Sequence, residues 1–322
     1  MPLVAMPLIA AMPLEALSIK DESQVQPNPM DTASPTNPTM ISSTDLPAYN
    51  LTVIPPTPLY IFTPFLSDHP PVHSLLDFLG GPADDPSSPA SVRAVRFFRS
   101  ILTYLETDLN LVHYKFVILP RNPNSPLADS DQWQQSPPFY LEVTPSDQPH
   151  SPAKTLHCIS CDLHSEVAHT SALPSPDQPS SLDSSLVNCW LDAKARPMYI
   201  VTPVRHVERL AQCTDTEIIA IYRTAYLLLK SEFALLAERG SEPPYLRFAR
   251  MTLNHGNARN VEHLHLKIRL LERDFRAIKN KGWSKERQKN YEKLKGGLYK
   301  KDKRLKKVNG GNGQEKDSSK ED

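Results

Sequence analysis

The sequence is short of cysteine and contains no long apolar run. Its 322 residues include four cysteines, too few for the disulfide framework that stabilises small secreted domains. Pro2, Pro7 and Pro13 interrupt the apolar N-terminus. The N-terminus therefore lacks both the uninterrupted stretch of about 18 residues that a membrane helix needs and the apolar core of a signal peptide. We expect an intracellular protein, in the cytoplasm and/or the nucleus, with no membrane partner.

Proline is scarce in the C-terminal part of the chain, where only three of the 32 prolines lie beyond residue 197. Because proline interrupts helices and central strands, regular structure is expected mainly in that part. Residues 1–50 are expected to be a disordered N-terminal region, and residues 51–155 a Pro-rich region. Within the latter, helical spacing over residues 92–105 and strand composition over 112–119 predict a small helix-strand unit. The composition of residues 120–155 is typical of a long loop.

The C-terminal half shows the patterns of regular structure. Residues 187–192 and 198–202 are typical of two buried strands joined as a hairpin. A capped amphipathic helix is expected from residue 214 or 215 to 240, followed by strands at 246–253 and 262–270. The predicted fold class is α+β: an antiparallel sheet with a core helix, flanked by the Pro-rich N-terminal region and a basic C-terminal helix.

The last predicted strand distributes its side chains unusually. Successive side chains of a strand point to opposite faces, so His263, His265, Lys267 and Arg269 share one face and the apolar residues between them share the other. A row of imidazole and cationic groups opposite a core face indicates a functional site. Two alternating histidines alone remain a weak signal.

The order of the motifs around this strand is more specific. A cysteine pair opens the segment, a strand ends at a histidine, the core helix follows, and a glycine turn precedes the histidine-rich strand. In chain order the motifs are Cys158-Ile-Ser-Cys161, Met198 to His206, Asn254-His255-Gly256 and His263-Leu-His265-Leu-Lys267-Ile. In this order and spacing, residues 156–272 resemble a zinc-binding histidine-triad (HIT) domain.

The resemblance implies a structural zinc ion. In zinc-containing members of the family, and in related galactose-phosphate uridylyltransferases, the ligands correspond to Cys158, Cys161, His206 and His263 here. Thiolate and imidazole are the donors that tetrahedral zinc prefers. Zinc is therefore the expected cofactor.

The resemblance also implies a catalytic histidine. The middle histidine of the family's triad attacks phosphorus and forms a phosphoramidate with the nucleotidyl group, which assigns that role to His265. Lys267 stands where the family has its third histidine, and a lysine is an inferior acid–base group because its reference pKa is roughly 10.4. Asn254, Gly256 and Arg259 are the expected nucleotide-binding residues, the last standing where the family has a glutamine-like group.

The chain ends in a basic extension, residues 273–322. Residues 273–307 hold 15 Lys/Arg against 4 Asp/Glu, and aromatic residues are interspersed among them. Two interpretations remain open: a helix docked on the domain by its apolar side, or an arm that binds nucleic acid through stacking and phosphate contacts. The tail beyond residue 308 is expected to be disordered.

Two functions follow from these observations. The first is a nucleotide hydrolase or nucleotidyl transferase that acts through a phosphoramidate on His265, and retention of this residue favours it. The second is a non-catalytic, zinc-stabilised module that binds a nucleotide or nucleic acid, which Lys267 and Arg259 favour. Expected partners are a nucleotidyl substrate, a nucleic acid at residues 273–307 and a second copy of the chain in a homodimer.

Overall fold

The computed structural model describes residues 48–64, 75–79, 88–120, 139–146, 158, 160–173, 185–236, 250–259 and 261–301. All of them belong to one compact unit that begins at Leu46. The expected disorder of residues 1–47 and of the tail after residue 308 falls outside the described residues.

A single antiparallel sheet forms the framework of the described chain. Its strands are β1 (Tyr49–Ile54), β2 (Leu59–Pro64), β3 (Tyr114–Pro120), β4 (Phe139–Pro145), β5 (Val187–Leu191), β6 (Met198–Pro203), β7 (Arg250–Asn254) and β8 (Leu266–Arg269). Their order across the sheet is β1-β2-β4-β3-β7-β8-β6-β5. Lys115 of β3 pairs with Asn254 of β7, so the sheet crosses the expected domain boundary at residue 155.

Helices pack against this sheet, which confirms the α+β fold class and the antiparallel sheet with a core helix. They are α1 (Leu75–Phe78), α2 (Pro89–Thr103), α3 (Glu166–Ser171), α4 (Asp215–Ala234), α5 (Glu272–Gly282) and α6 (Lys285–Lys295). Short turns of other helix types cover Tyr104–Asp108, Leu210–Gln212 and Gly256–Ala258. None of the described helices combines the length and the apolar composition needed to cross a membrane.

The core helix α4 starts at a capping box and is almost entirely enclosed. The Thr214 side chain accepts a hydrogen bond from Glu217 N, and the Glu217 carboxylate accepts one from Thr214 N, which satisfies two backbone donors at the helix start. The sheet covers one side of α4, and α1, α2 and α5 cover others. A homodimer contact through this helix would therefore have to displace parts of the same chain. The helix ends at Ala234, earlier than the expected end at Gly240, which lies outside the described residues.

The basic extension begins with two helices that dock on the core. Phe275, Ile278, Trp283, Tyr291 and Leu294 are all buried, which confirms the docked-helix interpretation for residues 272–295. These aromatic side chains are consequently unavailable for stacking on bases. The cationic side chains of the same helices lie mostly on the outer surface.

The sheet is larger before residue 155 than the sequence analysis predicted. Strands β1, β2 and β4 join the predicted helix-strand unit, and the loop prediction for residues 139–145 was wrong. Phe139-Tyr-Leu-Glu-Val-Thr has strand composition, but the flanking proline-rich and polar segments conceal it when composition is averaged. Tyr49 and Asn50, expected to be disordered, begin β1.

The predicted strand at 262–270 is shorter in the structure, where β8 covers only Leu266–Arg269. The neighbouring strand explains the difference. β6 ends at Pro203, which has no N–H to continue the ladder, and Leu264 N instead donates to Val207 O at 2.7 Å. The two histidines therefore lie on an extended segment that leads into β8.

Candidate metal and catalytic site

The site occupies the face of the sheet opposite α4. Val201 and Leu266, which are partners across β6 and β8, are buried in the core beneath that helix. Their neighbours Ile200 and Lys267, also partners, therefore point to the other face. There, His263, His265, Lys267 and Arg269 line one cavity, so the predicted row of polar groups lies together.

Two thiols and one imidazole converge at one end of this row. The Cys158 and Cys161 sulfurs and one ring nitrogen of His263 lie within 4.8 Å of one another, and this group could hold a metal ion. Nδ1 of His263 lies 3.3 Å from Cys161 Sγ, and Nδ1 of His206 lies 3.1 Å from the same sulfur. Neighbouring ligands of a tetrahedral zinc ion lie roughly 3.5 Å apart, given Zn–S of about 2.3 Å and Zn–N of about 2.0 Å. Cys158, Cys161 and His263 therefore have donor types and spacings that suit zinc. His206, the fourth expected ligand, contacts Cys161 but does not belong to this group, so its place in the ligand set stays a prediction.

The orientation of the His263 ring also suits a ligand. Nε2 of His263 donates to the carbonyl oxygen of Pro203 at 2.9 Å, because a carbonyl can only accept. The lone pair is thus on Nδ1, the nitrogen that faces Cys161. An outer hydrogen bond of this kind fixes the tautomer and the ring orientation of metal-binding histidines.

The environment of Cys158 favours the neutral thiol in the absence of a cation. Burial, together with the neighbouring Cys161, raises the pKa of the Cys158 thiol to about 11. A bound divalent cation reverses that preference, because it stabilises the thiolate directly.

His265 lies beside the metal-binding group. Its ring is nearly parallel to that of His263, with centroids 5.9 Å apart. Nε2 of His265 lies 3.5 Å from the Ser160 hydroxyl oxygen. The Ser160 hydroxyl in turn contacts Thr202 Oγ1 at 3.2 Å, and Thr202 also accepts from Trp190 Nε1 at 3.1 Å. Ser160, which lies between the two cysteines in the sequence, thus contacts His265, the expected nucleophile.

The site perturbs the pKa values of both predicted catalytic groups. Burial, followed by repulsion from His263 and Lys267, lowers the pKa of His265 to about 3. The imidazole is consequently neutral at pH 7 and keeps a lone pair for attack. Burial, followed by repulsion from Arg196 and Arg269, lowers the pKa of Lys267 to about 8. The pKa of Lys267 is therefore closer to that of an imidazole than the ordinary pKa of a lysine side chain is.

Arg259 is held by the chain around it. Its guanidinium donates to the Glu208 carboxylate at 2.9 Å and to the carbonyl oxygens of Glu208 and Glu262 at 3.0 and 2.8 Å. A further N–H lies 3.3 Å from Gly256 O. Arg259 lines the cavity, but these contacts tie the glycine turn to the segment after β6. Its role in nucleotide binding stays a prediction.

The other two predicted nucleotide-binding residues differ in position. Asn254 lines the cavity, and its buried Oδ1 has no hydrogen-bond partner among the described residues. Gly256, with φ of +59°, packs against the segment before β3, where a Cβ would lie 2.0 Å from His113 Nδ1 and 2.7 Å from Val112 O. Among the described residues, Gly256 does not line the cavity. Position 256 therefore requires glycine, because a Cβ would collide with these atoms.

His255, between these two residues, is part of the core. It is completely buried and stacks on Tyr114 with ring centroids 4.3 Å apart. Burial, followed by repulsion from Arg209 and Arg259, lowers its pKa to about 3. This histidine is therefore a neutral packing group.

The cavity has a volume of about 220 Å³. Besides the predicted residues it includes a group that the sequence analysis did not assign to the site: Ser160, Trp190, Asp192, Lys194, Arg196 and Ile200. Ser160 could have been suspected from its place between two expected ligands. The others reach the cavity through the pairing of β6 with β8, which joins residues distant in sequence.

Comparison with known proteins gives similarity at the level of structure only. No family model matches the chain, and no curated protein matches it. A structure entitled as a uridylyltransferase mutant is 14% identical, with 76% of this chain and 78% of that chain covered and a TM-score of 0.38. A uridylyltransferase structure is 13% identical over 84% and 94%, with a TM-score of 0.41. A GalT-like protein from Arabidopsis thaliana is 12% identical over 70% and 84%, with a TM-score of 0.37. TM-scores this low leave the function to be argued from the site itself.

Proposed function

We propose that the protein is a nucleotide hydrolase or nucleotidyl transferase that acts through a phosphoramidate on His265. The observation that supports this function best is the position of the His265 imidazole. It opens into a cavity lined by cationic side chains and lies beside His263, which with Cys158 and Cys161 forms a group that could hold a metal ion. A fixed imidazole beside positive charge suits attack on a phosphate ester.

The proposed reaction has two displacements at one phosphorus atom. In the first, the imidazole lone pair forms a P–N bond, and the P–O bond breaks with its electron pair leaving on the oxygen of the departing group. In the second, water or an acceptor hydroxyl attacks the same phosphorus and loses its proton. The P–N bond then breaks and its electron pair returns to the imidazole. The covalent intermediate divides one difficult displacement into two easier ones.

Lys267 assists the first displacement. It lies two positions beyond His265 on the same face, and its lowered pKa of about 8 leaves it mostly protonated at pH 7. It can therefore neutralise charge on the phosphoryl oxygens or donate a proton to the departing oxygen.

We assign zinc to Cys158, Cys161, His206 and His263 as a structural ion. A bound zinc ion would supply a fixed positive charge and a rigid cross-link between the cysteine segment and the strand. The chain's own contribution is to hold Ser160 and His265 in contact across that link.

The test is release of nucleoside monophosphate from a panel of nucleoside phosphoramidates, dinucleoside polyphosphates and nucleotide sugars. His265→Ala should abolish release without changing zinc content or melting temperature, whereas Lys267→His should raise it by restoring the family's imidazole. His164→Ala, which removes an exposed histidine near the cysteines, is the matched control and should match the wild type. If wild type and His265→Ala bind nucleotide equally and neither releases product, the enzymatic function is wrong.

The second candidate function is nucleic-acid binding without catalysis. The outward cationic side chains of α5 and α6 favour it, because they form a basic surface independent of the cavity. If they bind duplex DNA, log affinity should fall linearly with log salt at roughly −0.9 per neutralised phosphate. Neutralising Lys281, Lys285 and Lys289, which are exposed, should reduce that slope, whereas an unchanged slope would exclude this surface.

A further inference from the structure

Cationic side chains gather at the end of the cavity beyond His265. Lys267 and Arg269 reach it from β8, and Lys194 and Arg196 reach it from the turn between β5 and β6. The register of the sheet explains this meeting. Met198 is the partner of Arg269, so the turn that precedes Met198 lies beside the end of β8.

The turn is held in one conformation. The buried Asp192 carboxylate accepts hydrogen bonds from the backbone N–H of Arg196 at 3.1 Å and from its guanidinium at 2.7 and 2.8 Å. Ala195, with φ of +53°, donates its N–H to Asp192 O at 2.7 Å and accepts from the Tyr291 hydroxyl at 3.0 Å. The backbone around Lys194 is thus fixed between the hairpin and α6, and an anion bound there need not order a loop.

Positive charge is in excess at this end of the cavity. Asp192 neutralises Arg196 in a bidentate ion pair. Lys194, Lys267 and Arg269 have no ion-pair partner among the described residues. Repulsion from neighbouring cations contributes, after burial, to the lowered pKa of Lys267. An anion in the cavity would remove this repulsion.

We propose that Lys194, Lys267 and Arg269 form a cationic subsite for a leaving group that contains a chain of two or more phosphates. The assignment of these cations to the leaving group rests on the proposed function, because it assumes that His265 is the nucleophile. Binding of an anion to them does not depend on that assumption. When the P–O bond breaks, the departing oxygen gains negative charge, which cations that line the same cavity as His265 would neutralise. A substrate with an amine as leaving group would leave these cations without a counter-charge.

The test uses inorganic tripolyphosphate and inorganic phosphate as probes, titrated calorimetrically into the full chain at one fixed low ionic strength. The wild type should bind tripolyphosphate at least tenfold more tightly than phosphate. Lys194→Gln with Arg269→Gln should weaken tripolyphosphate binding about 25-fold, on the basis of about fivefold for each exposed charge removed at contact distance. Both side chains are exposed, so the variant should melt at the wild-type temperature, and Lys194→Gln alone should give the fivefold effect.

Lys285→Gln with Lys289→Gln is the matched control, because it removes the same charge from the exposed surface of α6. It should retain wild-type affinity for tripolyphosphate. Equal losses in both double variants, or no preference for tripolyphosphate over phosphate, would overturn the proposed subsite.

The proposal that His265 is the nucleophile is tested independently of the proposed subsite. His265→Ala should bind tripolyphosphate within twofold of the wild type. If no substrate in the panel is turned over but the selective loss of tripolyphosphate binding is seen, the subsite stands without the reaction. If His265-dependent turnover is seen but the two double variants bind alike, the reaction stands and the subsite is wrong.

Discussion

Removal of Arg287 is expected to loosen the docking of the C-terminal helices. Arg287 of α6 forms an ion pair with Glu232 of α4 at 2.8 Å, and their side chains are 2% and 3% exposed. Glu232 also accepts hydrogen bonds from the Tyr199 hydroxyl and from Trp283 Nε1. The guanidinium carbon of Arg287 lies 4.1 Å from the centroid of the Trp283 ring.

The expected magnitude follows from the burial of this pair. Arg287→Ala leaves the Glu232 carboxylate buried without its cation, and breaking one partner of a buried pair typically costs about 3–5 kcal/mol. For a chain of this size, each 1 kcal/mol lowers the melting temperature by about 2–4 °C. We therefore expect a decrease of about 6–20 °C. Replacing both partners, Arg287→Met with Glu232→Leu, should cost less than the single change, because no charge is then left unpaired.

The assay is thermal unfolding of the full chain, with Arg276→Ala as the matched control. Arg276 lies on the neighbouring helix α5 and pairs with Glu272 at 3.6 Å, but both side chains are more than 60% exposed. An exposed pair of this kind contributes at most about 1 kcal/mol. If Arg287→Ala and Arg276→Ala lower the melting temperature equally, the helices do not dock as described.

Three further predictions concern the site and the glycine turn. His206→Ala should lower the zinc content of the purified protein from about one ion per chain, because one of four expected ligands is lost. Elemental analysis measures the zinc content. An undiminished zinc content would remove His206 from the ligand set. Gly256→Ala should destabilise the protein by more than Gly297→Ala in denaturant unfolding, because both have positive φ but only the first would place a Cβ against other atoms. The affinity for tripolyphosphate should fall as the pH rises through about 8, where Lys267 loses its charge. Lys267→Arg should remove that step, since arginine stays charged, and an unchanged step would assign it to another group.

Local patterns were sufficient to predict the start of the core helix and the hairpin that precedes it. The helix start was predicted at residue 214 or 215, and the structure has Thr214 as the N-cap, in a capping box with Glu217. The hairpin of β5 and β6 follows from two short apolar runs around one turn. These features depend on neighbouring residues alone.

Long-range pairing could not be predicted in the same way. The strand at 262–270 has the alternation of a full strand, yet residues 262–265 do not join the ladder with β6, which ends at Pro203. Similarly, the alternation placed Arg269 on the site face, but Lys194 joins it only through the register of β6 and β8. Such contacts depend on which strands become neighbours, which the pattern of one segment does not determine.

The most direct test of the proposed function is detection of the covalent intermediate. The full chain is mixed with a substrate that it turns over, quenched without acid and digested, and the peptide containing His265 is analysed by mass spectrometry. We expect a nucleotidyl group on His265 that is lost on acid treatment, as a phosphoramidate is, and that is absent from His265→Ala. Product formation with no adduct on His265, or an adduct that persists in the alanine variant, would contradict the proposed function.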